Sequence, residues 1–172
     1  MSTSTYDGQQ AEVAARPDWV GKLAPGLVAG MVFAMWAMVV GIFTSTLWAP
    51  PQGIAQAVGL GHAGHDFQLL PFVLGIMGHM MNSAIFGILF AALAITVVRL
   101  RGVLLVAAGM MYGLAVYAVL YYPVLRGLLA STSGSFLSSN PEWSWVLAHL
   151  MYGVMLGGLV AYGPLARARQ RS

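Results

Sequence analysis

The chain has 172 residues, of which 59% are hydrophobic and only 8% charged, and its mean hydropathy is +0.77. Soluble domains carry about 25% charged residues, so this composition is that of a membrane protein, and the lack of cysteine excludes disulfides, thiolate metal sites and cysteine nucleophiles. The net charge of +3 is accounted for by basic residues flanking membrane spans, and no Lys/Arg run with interleaved aromatics offers a surface for nucleic acid.

Residues 1–20 are polar and small, with Asp7, Glu12, Arg16 and Asp18, and read as a disordered tail ahead of a transmembrane domain over 21–172. Residues 23–48 stay apolar for more than the roughly 20 residues a bilayer requires. That is too long for the core of a cleaved signal, so the stretch is the first predicted span. Residues 49–70 contain Pro50-Pro51, four glycines, His62, His65 and Asp66 and read as a loop with one short interfacial helix. A second span is expected over 71–98. Arg99-Leu100-Arg101-Gly102 forms a tight basic turn, and a third span follows over 103–122, where Pro123 kinks or ends it. Residues 131–139 read as a Ser/Thr/Gly loop. Asn140-Pro141-Glu142 then places a capping side chain, a first-turn proline and an acid before a fourth span over 143–165.

The fold class is therefore all-α, a polytopic four-helix membrane bundle. Arg16, Lys22, Arg99, Arg101, Arg167, Arg169 and Arg171 fall on one side of it and Arg126 on the other, which puts both termini in the cytoplasm. Trp48, Tyr121, Tyr122, Trp143 and Trp145 gather at the outer boundary, where amphipathic rings prefer to sit.

The most informative stretch is Gly78-His79-Met80-Met81-Asn82-Ser83, with Gly87, which is nearly repeated at His149-Leu150-Met151-Tyr152-Gly153, with Gly157. Ala29-Gly30-Met31 likewise matches Ala108-Gly109-Met110, so the chain reads as two tandem helical hairpins the same way up. On a helix, His79, Asn82 and Ser83 form one polar patch, which is expected to turn toward protein because unsatisfied polar groups in hydrocarbon are costly. His149, Tyr152 and Gly153 take the same places in the second copy. The two histidines should lie at one depth, about 10 to 13 Å below the outer surface of the hydrocarbon.

Three readings of His79 and His149 stay open. Each imidazole can bond to a neighbouring helix as packing glue, worth about 1 kcal/mol. The pair can be axial ligands of a b-type haem, with nearby glycines leaving room for the macrocycle. A third reading draws on the 11 methionines, because Met77, Met81 and Met151 with the histidines form a soft donor set suited to Cu(I), collected first by His62, His65 and Asp66. The cofactor versions expect the volume between the imidazoles to be walled by Met and Gly. The Gly109-x3-Gly113 and Gly153-x3-Gly157 pairs fit close helix packing.

On the repeated histidine segments the chain resembles small, uncharacterised four-span bacterial inner-membrane proteins of the YagU-like sort. That resemblance implies a bacterial cytoplasmic membrane location and carries over no catalytic residue. With no phosphate-cradling motif, nucleophile elbow or intramembrane carboxylate pair, the expected function is that of a non-enzymatic membrane component. Such a component would be freestanding, a homo-oligomer, or an accessory subunit of a larger membrane complex.

Overall fold

The computed structural model describes residues 18–62 and 66–163, and every regular element among them is helical. The predicted tail over 1–17 and the basic Arg167, Arg169 and Arg171 lie outside the described residues. Four helices are long and apolar enough to cross a bilayer, with spans over Leu23–Thr44, Leu69–Val97, Val103–Leu128 and Glu142–Tyr162. They belong to α1 (Asp18–Thr44), α3 (Leu69–Ala92, continued by a π-helical turn over Leu93–Val97), α4 (Val103–Val119) and α6 (Glu142–Tyr162). Two short helices, α2 (Ala49–Ala57) and α5 (Gly134–Ser139), fill the connections at one end.

Three boundaries differ from expectation for identifiable reasons. The first span closes at Thr44 rather than 48, since α2 begins at Ala49 with prolines in its first turn, where their missing N–H groups cost nothing. The third span runs past Pro123, because residues Leu120–Leu128 form a π-helix, and its wider turn absorbs the proline ring that would clash in an α-helix. The 131–139 segment is not all loop: Phe136 of α5 packs on Gly53 of α2 so closely that a Cβ at Gly53 would lie 2.8 Å from the Phe136 Cα.

Asn140 does not cap α6. Its Nδ2 instead donates to the Ala37 carbonyl at 3.1 Å, its Oδ1 accepts from the Thr44 hydroxyl, and its own carbonyl accepts from Trp145 Nε1. This buried side chain thus fastens the end of α1 to the start of α6. Trp36 adds a second tie between the same helices, donating from Nε1 to the Ser144 hydroxyl at 3.2 Å.

Helices α1 and α6 are central, with 39% and 44% of their span windows buried, against 22% for each of α3 and α4. The spatial order is α3, α1, α6, α4, with α1 packed on α3 and on α6, and α4 packed on α6. Glycines set the closest approaches. A Cβ at Gly87 of α3 would fall 2.5 Å from Gly26 of α1, and Gly109 of α4 meets Gly153 of α6 backbone to backbone. Without a hydrophobic driving force between helices in lipid, such close van der Waals contact is a principal source of association.

Candidate functional site

Helices α3 and α4 are joined by the short turn at Arg99 to Gly102, yet they pack little on one another. Tyr112, ten residues past the turn, bridges them, donating to the Phe86 carbonyl at 2.9 Å and packing tilted against Phe90 at 5.3 Å between centroids. The α4 residues that border the space between the two helices, Val116 onward, all lie beyond Tyr112. That space, bordered also by Phe33 of α1, Trp145 of α6, Ile54 of α2 and Phe136 of α5, is a cavity of about 310 Å³ lined mostly by apolar side chains.

Both histidines line it. His79 Nε2 lies 2.9 Å from the Gly30 carbonyl, and His149 Nδ1 lies 2.8 Å from the Trp145 carbonyl one turn back. A carbonyl only accepts, so each of these nitrogens is the N–H donor, and a neutral imidazole with its proton there keeps a bare lone pair on its other nitrogen. Those other nitrogens, His79 Nδ1 and His149 Nε2, have no hydrogen-bond partner among the described residues and are not sealed in protein. The site therefore offers two hydrogen-bond acceptors beside an apolar space.

Phe33 of α1 packs on both imidazoles, with ring centroids 5.0 Å from His79 and 4.8 Å from His149. Tyr117 meets the His149 ring from α4 at 5.5 Å. The volume near the histidines is thus walled by aromatic and branched aliphatic side chains. The expected wall of Met and Gly is not what lines it, since neither residue type does so.

The polar patch on α3 divides. Ser83 is buried, and its carbonyl accepts from the Tyr152 hydroxyl at 2.8 Å, so Tyr152 joins α6 to α3. Asn82 is exposed at the cavity edge instead of turning inward, and it makes no hydrogen bond among the described residues. Met77 and Met81 are 62% and 60% exposed on the outer face of α3. Met151 is half-buried and does not line the cavity. His62 is exposed, and its backbone is clamped by Gln56 Nε2 and Gln68 Nε2, both donating to its carbonyl at 2.8 Å; His65 lies outside the described residues. Among the described residues no group of three or more His, Asp or Glu is placed to hold a metal ion.

Sequence reasoning missed the cluster that ties α4 to α6. Glu142 Oε1 accepts from the Tyr117 and Tyr122 hydroxyls at 2.9 and 2.8 Å, and its other oxygen lies 3.6 Å from Arg126. Arg126 in turn donates to the Tyr121 hydroxyl at 2.9 Å. Tyr121 and Tyr122 had drawn notice only as boundary aromatics, and the signal that would have joined them to Glu142 is the cation and acid at facing helix ends.

Compared against protein-family models, curated proteins and solved structures, the chain matches none of them.

Proposed function

We propose that this chain is a non-enzymatic component of the cytoplasmic membrane that binds a small, largely apolar molecule in the cavity between α3 and α4. The observation that carries this reading is the cavity itself, about 310 Å³, within a bundle where α1 closes on α3 and α4 on α6 to backbone contact. That size lies at the lower end of the range for small-molecule sites, which are mostly apolar with a few placed polar groups. Here the polar groups are the two imidazoles.

The scaffold is proposed to be two tandem hairpins with both termini in the cytoplasm. Matching contact registers support it: Gly30 faces Ser83 as Gly109 faces Gly153, and Gly26 faces Gly87 as Leu105 faces Gly157. The asymmetry of basic residues supports the orientation. Haem b and Cu(I) draw less support. A macrocycle reaching both imidazoles would have to displace Phe33 from its contact with each ring, and Met77 and Met81 are turned away from the histidines' cavity.

Mass spectrometry of the protein released from mild detergent tests the reading, alongside a Leu120→Trp variant whose indole fills the cavity. A small molecule carried by the wild type and missing from a folded Leu120→Trp supports it. Identical bound molecules in both would refute it.

A further inference from the structure

Three observations bear on what the cavity takes. Two imidazoles on separate helices line one apolar space, and each has one nitrogen without a partner among the described residues. No carboxylate or methionine lines that space, so beside the two imidazoles a metal ion would find only hydroxyl and carboxamide groups. Asn82 sits exposed at the edge, one turn along α3 from His79, where an unpaired carboxamide facing hydrocarbon is costly.

From these we infer that the occupant is a lipid-dissolved amphiphile with a hydroxyl donor on a compact apolar frame. It enters between α3 and α4 past Asn82, and its hydroxyl donates to the lone pair of His79 Nδ1 or of His149 Nε2. This rests on the cavity-binding reading above and adds the ligand's chemistry and route. A hydroxyl has one proton and two imidazoles compete for it, so one ring accepts that proton at a time, and a second donor on the same frame engages the other. A frame with two hydroxyls, such as a quinol or resorcinol, therefore fits better than a monophenol. An anion is disfavoured, because the cavity wall presents no cation and its two imidazoles offer only acceptors. Phe33, in contact with both rings, supplies an aromatic surface against which a flat frame packs.

The test uses the full chain in lipid nanodiscs and equilibrium dialysis against matched empty nanodiscs. The probes are hexylresorcinol, 4-hexylphenol and 4-hexylanisole, which carry two, one and no hydroxyl donors. The expected order is hexylresorcinol, then 4-hexylphenol, then 4-hexylanisole, with at least about fivefold between the first and the last, the lower end of the cost of leaving a buried acceptor unpaired. His149→Phe and His79→Phe should each reduce the preference for hydroxyls while leaving 4-hexylanisole bound as before. Equal binding of all three probes by the wild type overturns the hydroxyl inference and leaves the cavity reading standing, whereas no binding of any probe overturns both. A hydroxyl preference that survives in both variants assigns it elsewhere and also overturns the role given to the histidines. The wild-type comparison needs no variant to fold.

Discussion

Phe33 stands edge-on to His149, with ring centroids 4.8 Å apart and planes at 84°. The same Phe33 ring also packs on His79 and lies 6.3 Å from Trp145. One residue of a central helix therefore positions both imidazoles. Phe33→Ala should destabilise the bundle by about 3 to 5 kcal/mol, the usual cost of truncating a buried phenylalanine, and should loosen the hydroxyl preference together with the fold. Unfolding in detergent by SDS titration reads the first effect. Stability within about 0.5 kcal/mol of wild type, the usual spread for surface changes, would contradict the packing role.

The glycine contacts predict a sharp difference between neighbours. A side chain at Gly157 would run into the Leu105 carbonyl, whereas one at Gly158 meets nothing within 4 Å. Gly157→Leu should cost about 1 to 3 kcal/mol by overpacking, and Gly158→Leu should leave the thermal midpoint in detergent unchanged. Gly53→Leu should be costly as well, because Phe136 lies against Gly53. Equal midpoints for Gly157→Leu and Gly158→Leu would show that α4 and α6 do not meet at Gly157.

The helices themselves were legible because apolar runs of bilayer length have few alternative readings, and the glycine seams because small residues four apart have a steric purpose. His79 and His149 stood out as ionisable groups in apolar runs. Their shared partner did not, since Phe33 is an apolar residue in an apolar helix and carries no signal of which neighbour it meets. The cavity was invisible for a related reason: side chains from all six helices border it, an arrangement that no single residue encodes. Asn82 misled because spacing placed it on a face with His79 and Ser83, yet one more step around the helix is enough to carry it to the cavity edge. The course of α4 past Pro123 and the helix at Gly134–Ser139 depend on tertiary contacts that override local preference.

Asn140 gives a third prediction. Asn140→Ala removes the bond to the Ala37 carbonyl and the acceptor for Thr44 from a site that is 2% exposed. A loss of about 1 to 3 kcal/mol is expected, the cost of leaving buried groups without partners. A helix-capping role would be rescued by Asn140→Ser or Asn140→Asp, while the observed role, which needs a donor and an acceptor on one side chain, would be rescued by neither. Full rescue by Asp, measured by chemical denaturation, would restore the capping reading.

Orientation can be checked directly because the chain has no cysteine of its own. Single cysteines replacing the exposed His62 and Arg101 report opposite sides. In intact cells a membrane-impermeant maleimide should label His62→Cys and leave Arg101→Cys unreacted until lysis. The reverse pattern would invert the proposed topology.

The turn between α3 and α4 has a further consequence. Arg99 and Gly102 both adopt left-handed backbone angles, with φ of 58° and 57°, and Tyr112, ten residues past Gly102, ties α4 to α3. At the far end α4 is held to α6 by the bonds of Tyr117 and Tyr122 to Glu142. The α4 side of the cavity, from Val116 to Leu129, therefore lies wholly beyond the tie that Tyr112 makes to α3. On the proposed reading, a molecule dissolved in the leaflet away from the turn would be the one to reach the cavity, so its occupancy would report the contents of one half of the bilayer.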